Sequence, residues 1–365
     1  MYKRVVKPIL FLFSPDFVHN SIVRIGKILQ PVLPIRWLLK KMWRRDDGRL
    51  RQDILGIDFS NPIGLSAGFD KNIELTPLME AVGFGFQTGG SVTLSPRKGN
   101  ARPWFHRLLK TESIVVHAGL ANKGIVEIAK TIQKNQRRAK SMPLFISVAV
   151  VAKTRKETNQ DAIIDAKSTV SYILQRNLAR AIEINISCPN AGDSQPFSSP
   201  GLLDELLSEL DSIDRTVPFF LKMPILPSAK EFDALLDVIV RHNIQGVTIA
   251  NLVKNRELVK LQDELADDIP GGLSGAPTRA VSTLLVHRAY KKYGDRLTII
   301  GVGGVFSAEH AYEKIKAGAS LVGMITGVIF GGPQVVGKIN RDLLRLMELD
   351  GFGHISEAVG ADHKK

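Results

Sequence analysis

Short apolar runs rich in β-branched residues recur along the chain from residue 54 onward, and each is followed by a loop containing Gly, Asn or Ser. Such runs predict β-strands. There are eight of them, at residues 63–66, 84–88, 144–150, 181–186, 219–222, 246–249, 298–302 and 320–324. Helical patterns intervene, among them residues 161–176, 203–213, 229–242, 278–293 and 308–317.

This alternation of strands and helices predicts an α/β fold with a parallel sheet. Eight strands is the number that closes a (β/α)8 TIM barrel. The alternative is a doubly wound open sheet, which would favour a Gly-x-Gly-x-x-Gly turn after its first strand. The stretch Gly64-Leu-Ser-Ala-Gly68 does not supply that turn. We therefore expect a TIM barrel with an N-terminal helical extension.

The first 50 residues follow a different pattern, in which short apolar stretches are mixed with basic residues. We expect two helices here, at residues 21–29 and 35–45, with Pro31 and Pro34 breaking the chain between them. The second helix would be amphipathic, with Trp37 and Trp43 near the edges of its apolar face. A helix pair that caps the barrel and a hairpin that lies on a membrane are both compatible with this pattern. The predicted division is an extension at residues 1–50, a barrel at 51–345 and a tail at 346–365.

Composition and charge narrow the functional classes. The chain has 365 residues, of which 44% are hydrophobic and 23% charged, an ordinary globular balance. Its single cysteine, Cys188, excludes a disulfide within the chain and a cysteine-based metal cluster. No apolar run reaches the roughly 18 residues that a transmembrane helix needs. No His, Asp and Glu cluster with metal-ligand spacing appears, so no metal site is expected.

The basic charge is concentrated at the N-terminus. Residues 1–50 hold eleven Lys and Arg against three Asp, a net +8 of the chain's total of +13. An anionic membrane surface attracts such a segment, and we expect a peripheral membrane protein on the cytoplasmic side. The barrel region has no interleaved aromatic and basic residues, so we do not expect nucleic acid as a partner.

Two glycine-rich loops follow the last two predicted strands, at Gly301-Val-Gly-Gly-Val305 and Gly323-Met-Ile-Thr-Gly327. Glycine lets backbone N–H groups approach an anion closely. The loops after strands seven and eight are the usual phosphate site of a TIM barrel. Glycines that merely ease tight turns are the alternative. A phosphate-bearing cofactor is the interpretation we favour.

Polar residues also follow the other strands. Asn185-Ile-Ser-Cys-Pro-Asn190 comes after the fourth, and Lys71, Lys222 and Asn251 come after or at the end of the first, fifth and sixth. A lone cysteine is often a small buried hydrophobe. Its place at a strand's C-terminal end between two asparagines favours a chemical role for Cys188. Asparagine offers both a donor and an acceptor, as a ring bearing amide groups requires.

Five motifs in order resemble the dihydroorotate dehydrogenase family over residues 50–340. They are Asn61-Pro-Ile-Gly-Leu-Ser-Ala-Gly-Phe-Asp-Lys71, Gly99-Asn with Arg102-Pro, Asn185-Ile-Ser-Cys-Pro-Asn190, Gly271-Gly-Leu-Ser-Gly275, and Ile300-Gly-Val-Gly-Gly304. The basic N-terminus and the stretch Gly83-Phe-Gly-Phe86 resemble the quinone-linked, membrane-associated class.

The resemblance implies an FMN-dependent enzyme of pyrimidine biosynthesis that oxidises dihydroorotate and passes electrons to a quinone, with Arg107 near the quinone. It implies that Lys71, Asn185, Asn190 and Asn251 bind the substrate and that Cys188 is the base. Lys71 would also stabilise reduced flavin. FMN would contact Ala67, Gly68, Lys71, Ser91, Asn185, Lys222, Ser274, Gly275, Gly303, Gly304 and Thr326, with Ser147 at the position of a further FMN-binding asparagine.

Several positions depart from the family pattern. The membrane-associated class usually has serine as the base, where this chain has Cys188. The family's orotate-binding asparagine is Val116 here, and Leu252-Val253 replace two threonines after Asn251. Loss of polar partners weakens discrimination of a polar substrate. The alternative is therefore a related flavoenzyme for another cyclic or unsaturated small molecule, and a third is a barrel that binds FMN without turnover.

Overall fold

Eight parallel strands close into a barrel in the computed structural model, which describes residues 2–139, 141–152, 158–187 and 196–364. The strands in chain order are β1 Gln52–Ile54, β2 Ile57–Phe59, β3 Ile63–Leu65, β4 Phe86–Val92, β5 Phe105–Leu108, β6 Ser113–Val116, β7 Leu144–Ala149, β8 Ala181–Asn185, β9 Phe219–Met223, β10 Gly246–Ile249, β11 Gly272–Gly275, β12 Thr298–Val302 and β13 Leu321–Met324. The barrel runs β3-β4-β7-β8-β9-β10-β12-β13 and closes back on β3. These are the eight predicted strands, and the predicted TIM barrel is confirmed.

The helices lie between the strands and at both ends of the chain. After a π-helical turn at Tyr2–Val6 they are α1 Lys7–Phe11, α2 Pro15–Leu29, α3 Leu33–Trp43, α4 Thr76–Val82, α5 Ile125–Gln136, α6 Asn159–Gln175, α7 Pro200–Asp211, α8 Ala229–Ile239, α9 Arg279–Tyr293, α10 Ala308–Lys316, α11 Thr326–Gly331, α12 Val335–Leu349 and α13 Ile355–Ala358. The five predicted helices are confirmed, with ends that shift by up to three residues. For α6 the shift has a visible cause, because Thr158 and Asp161 form a capping box that starts the helix early.

A layer of aromatic side chains fills the N-terminal end of the barrel. The antiparallel hairpin of β1 and β2 lies across this end and inserts Phe59, whose ring centroid is 5.8 Å from Phe86 and 6.0 Å from Phe145. Phe220 continues the layer, 5.5 Å from Phe145. These rings are buried. The packed layer leaves the opposite, C-terminal end of the strands for polar and charged side chains.

The N-terminal extension is more helical than expected. Ser14 caps α2 by accepting a hydrogen bond from the Phe17 amide at 3.3 Å, so this helix begins before residue 21. The expected break between the two helices is confirmed at residues 30–32, which include Pro31, but Pro34 lies just beyond it. Pro34 lies in the first turn of α3, where a missing N–H is tolerated. Among the described residues, no helix combines the length and apolarity that crossing a bilayer requires.

Two further features were not predicted in detail. A three-stranded antiparallel sheet of β5, β6 and β11 lies outside the barrel order and carries Ser274. At the other end of the chain, the expected boundary between barrel and tail at residue 345 falls inside α12, which buries both Leu343 and Met347.

Candidate active site

A single cavity of about 480 Å³ extends from the C-terminal ends of the barrel strands to the underside of the N-terminal helices. Twelve of the residues singled out from the sequence line it together, although they come from distant parts of the chain. They are Ala67, Gly68, Lys71, Ser91, Asn185, Lys222, Asn251, Ser274, Gly275, Gly303, Gly304 and Thr326. The described residues of this lining include two lysines and an arginine but no carboxylate, so the cavity is suited to an anionic ligand.

One end of the cavity is formed by the loops after β12 and β13. Gly303 has a φ of +122° and Gly304 a φ of +66°, a conformation that disfavours any side chain. Across from them the Ser274 hydroxyl lies 2.9 Å from the Thr326 hydroxyl and donates to the Ile114 carbonyl at 3.0 Å. Glycine backbone and two hydroxyl groups therefore line this end of the cavity, which is the arrangement expected of a phosphate site.

Lys71 is held by the turn that follows β3. Its Nζ donates to the Gly68 carbonyl at 2.8 Å and lies 4.8 Å from the centroid of the Phe105 ring. The neighbouring Asp70 is buried and fixes the turn, because its carboxylate accepts from the amides of Glu74 and Leu75. Burial lowers the pKa of Lys71 to about 8, partly opposed by the negative charges of Asp16 and Asp70.

A chain of amide and hydroxyl groups crosses the mouth of the barrel. The Asn185 side-chain amide donates to Ser91 Oγ at 2.8 Å, and Ser91 Oγ lies 2.8 Å from Ser147 Oγ. On the other side Asn251 donates to Asn185 Oδ1 at 3.1 Å and to the Ser187 carbonyl at 2.7 Å. The connected bonds fix the rotamers of both asparagines.

Ser147 is the predicted cofactor contact that does not reach the cavity. It is fully buried, and its hydroxyl lies 2.8 Å from the hydroxyl of Ser91, which does line the cavity. Lys222 does reach the cavity, with its Nζ 3.9 Å from Glu183 Oε1.

Cys188 and Asn190 lie outside the described residues. The residue before Cys188 is described, and it is held firmly: the Ser187 hydroxyl donates to the Lys222 carbonyl at 3.2 Å and accepts from Asn251 at 3.0 Å. The chain therefore leaves the C-terminal end of β8 beside the two asparagines that line the cavity.

The far end of the cavity is apolar and lies beneath the N-terminal helices. Leu10, Phe11, Val18, Ile22 and Leu39 line it, together with residues of α4 such as Leu78 and Met79. Arg107 also lines it, and its guanidinium is held by the carbonyls of Phe11 and Phe13 at 3.1 and 2.8 Å.

Three aromatic residues that the sequence patterns did not single out lie where the two ends meet. The His19 ring is 5.5 Å from the Phe69 ring and 5.4 Å from the Phe105 ring, between α2 and the barrel. Burial lowers the pKa of His19 to about 3, with Lys71 and Arg102 acting in the same direction, so this imidazole is neutral at pH 7. Phe69 stands inside the motif that ends at Lys71, a signal that could have found it. The position of His19 depends on packing between distant segments.

Comparison with known proteins places these features in a family. A model of the family described as dihydroorotate dehydrogenase matches residues 49–347. A dihydroorotate dehydrogenase (quinone) of Deinococcus deserti is 31% identical over 99% of this chain and 100% of its own length. One of Anaeromyxobacter dehalogenans is 35% identical over 85% of both chains. The crystal structure of DHODH in complex with ferulenol from Eimeria tenella aligns with a TM-score of 0.81 and 25% identity over 96% of each chain.

Proposed function

The chain belongs to the dihydroorotate dehydrogenase family, and from that membership we propose that it oxidises dihydroorotate to orotate with FMN as cofactor and a quinone as electron acceptor. The observation that carries the proposal is the continuity of the cavity. One volume joins the lysine and asparagine cluster at the barrel mouth to the apolar passage beneath the N-terminal helices. A polar substrate and an apolar acceptor can therefore reach the same cofactor from opposite ends.

The residues present fit FMN. Glycines with positive φ at positions 275, 303 and 304 bring backbone without side chains to the cavity wall, next to the hydroxyls of Ser274 and Thr326. That set suits a phosphate group. Lys222, Ser91 and Asn185 offer hydrogen-bonding groups to an isoalloxazine ring, with Ser147 behind them. FMN, when bound, supplies a reversible acceptor for a hydride.

For the substrate we propose Lys71, Asn185, Asn251 and Asn190 as partners. Asparagine amides pair with the ring carbonyl and N–H groups, and the lysine balances negative charge on the substrate or the reduced cofactor. Cys188 removes the proton from the carbon next to the one that loses hydride. A thiol has a reference pKa of about 8.5 and so needs less activation than a hydroxyl.

For the acceptor we propose that quinone enters between the N-terminal helices and contacts the region of Arg107. Residues 1–50 then form the extension that meets the membrane, on its cytoplasmic side. Of nineteen large apolar side chains exposed in the described residues, thirteen lie between Val5 and Met42. This concentration supports a peripheral attachment in which apolar side chains enter the lipid interface and the basic ones meet its charge.

A second candidate function rests on an apolar part of the cavity wall. Val116, Ala118, Leu120 and Ala121 line the cavity in one stretch and offer no polar side-chain atom. A related substrate with an apolar edge would fit this wall better than a fully polar ring does. This keeps the same flavin chemistry and changes only the compound oxidised.

The test is anaerobic reduction of the bound flavin. Addition of dihydroorotate to the purified, oxidised protein should bleach its visible absorbance, and a short-chain quinone in detergent should restore it. Bleaching by dithionite but not by dihydroorotate would favour the second candidate. Protein that neither carries nor takes up FMN would refute both.

A further inference from the structure

One lysine of this chain is fully buried away from the cavity. Lys314, on α10, has 0% of its surface exposed. Its ammonium donates to Ser282 Oγ at 2.6 Å, to Thr283 Oγ1 at 2.9 Å and to the Arg279 carbonyl at 3.5 Å. All three acceptors are neutral oxygens. Within the described residues no carboxylate forms an ion pair with it, and burial lowers the pKa of Lys314 to about 7.

Such a side chain is costly where it stands. A buried ammonium loses its hydration, and neutral oxygens restore only part of that free energy. Packing alone would be served better by methionine, which has a similar length and no charge. A negative group bound nearby would favour the charged form of this lysine and offset part of that cost.

The surroundings identify where that negative group lies. The stem of Lys314 packs beneath Gly301 on β12, where a Cβ would come within 3.2 Å of its Cδ. Its partner Ser282, on α9, lies against the turn that follows β12, with Oγ 3.5 Å from the Gly303 carbonyl. A Cβ on Gly303 would meet Ser282 Oγ at 2.8 Å, so the hydroxyl lies directly against this loop. Lys314 therefore stands one side chain behind the glycines that line the cavity.

We propose that Lys314 is a positioning residue for the phosphate of the flavin: a buried cation that, through Ser282, supports the Gly303 loop and favours a phosphorylated ligand over an uncharged one. This rests on the proposed function, because it takes the cofactor to be FMN. The lysine does not touch the cofactor. It supplies positive potential from behind the loop in a region of low dielectric, where such potential acts over several ångströms.

Riboflavin separates this role from a purely structural one, because it is FMN without the phosphate. The full-length protein loaded with FMN is equilibrated with increasing riboflavin, and the two flavins that remain bound are separated by chromatography. The exchange constant gives the preference for FMN over riboflavin directly. In Lys314→Met we expect this preference to fall about tenfold, which corresponds to ~1.4 kcal/mol. A packing defect would weaken both flavins alike and leave the ratio unchanged.

Matched variants accompany the measurement. Lys316→Met removes a partly exposed lysine of the same helix that pairs with Asp350, and it should leave the ratio at the wild-type value. Ser282→Ala interrupts the connection to the loop and should lower the ratio, and it provides the test if Lys314→Met does not fold. Thr283→Val removes an oxygen that binds the lysine but not the loop, and it should have the smaller effect. A wild-type ratio in Lys314→Met, or in Ser282→Ala where Lys314→Met does not fold, overturns the inference. Wild-type protein that binds no FMN would instead refute the proposed function.

Discussion

Asn185 ends β8 and Asn251 follows β10, two barrel strands separated by β9, and their side chains are joined by a hydrogen bond of 3.1 Å across the cavity mouth. The same Asn251 amide also donates to the carbonyl of Ser187, the residue before Cys188. The side chain of Asn251 thus contacts both Asn185, another proposed substrate partner, and Ser187, where the proposed catalytic loop begins. Substrate binding and proton removal should therefore be coupled through Asn251.

Replacing Asn251 with alanine should weaken orotate binding by ten- to a hundredfold, because a polar ligand loses a partner and Asn185 loses its restraint. It should also slow flavin reduction. The change in the flavin spectrum on titration with orotate measures the first effect, and stopped-flow reduction measures the second. If only binding changes, Asn251 has no influence on the Cys188 loop.

Replacing Cys188 with alanine should slow flavin reduction by the substrate about 10²–10⁴-fold, the usual contribution of a general base. Bound FMN should be retained, because the thiol is not expected to hold it. Cys188→Ser should reduce its flavin at a rate between those of the wild type and the alanine variant, since a hydroxyl acts as base only with help from its surroundings. An alanine variant that is reduced at the wild-type rate would show that the cysteine is a packing residue.

The charge of Lys71 should make ligand binding depend on pH. Because burial lowers its pKa to about 8, the lysine is a cation below that pH and loses its proton as the pH rises through it. The affinity for orotate, an anion, should therefore be full near pH 6.5 and decline as the pH rises past 8. Lys71→Met should bind weakly with no such decline. The affinity for orotate is measured by the same spectral titration at several pH values. If the affinity of Lys71→Met also declines above pH 8, the pH dependence belongs to another group.

The exposed apolar side chains of the N-terminal helices should bind lipid. Ile28 on α2 is 64% exposed and Leu33 on α3 is 68% exposed. Changing both to aspartate should lower co-sedimentation with anionic vesicles several-fold, and salt should weaken what remains because the basic residues still act. Leu284, which is 67% exposed on α9, gives a matched control as Leu284→Asp. Equal loss in the control would mean that general surface hydrophobicity, and not this face, drives sedimentation.

The barrel and much of its cavity could be predicted from the sequence because their signals are local. Each strand is a short apolar run, and residues such as Lys71, Asn185 and Asn251 stand at strand ends, where the fold brings them together. Ser274 was found through its motif, but its strand was not, because Gly272-Leu-Ser-Gly275 is not an apolar run and its partner strand, Ser113–Val116, is far away in sequence. His19 and Lys314 depend on packing between distant elements, for which local periodicity offers no signal. Ser147 shows the opposite limit: its strand was placed correctly, yet its side chain is buried against Ser91 and is not among the described residues that line the cavity.

The layer of phenylalanine side chains at the N-terminal end of the barrel affects which substitutions the protein can tolerate during evolution. In a TIM barrel the N-terminal end of the strands serves stability, and the C-terminal end holds the functional residues. Val116 lies on a strand outside the barrel, in the small sheet above its mouth. Because Val116 lines the cavity, a substitution there changes the cavity wall while the aromatic layer still packs the other end of the barrel. Substitutions at the cavity can thus accumulate during evolution without loss of the folded barrel.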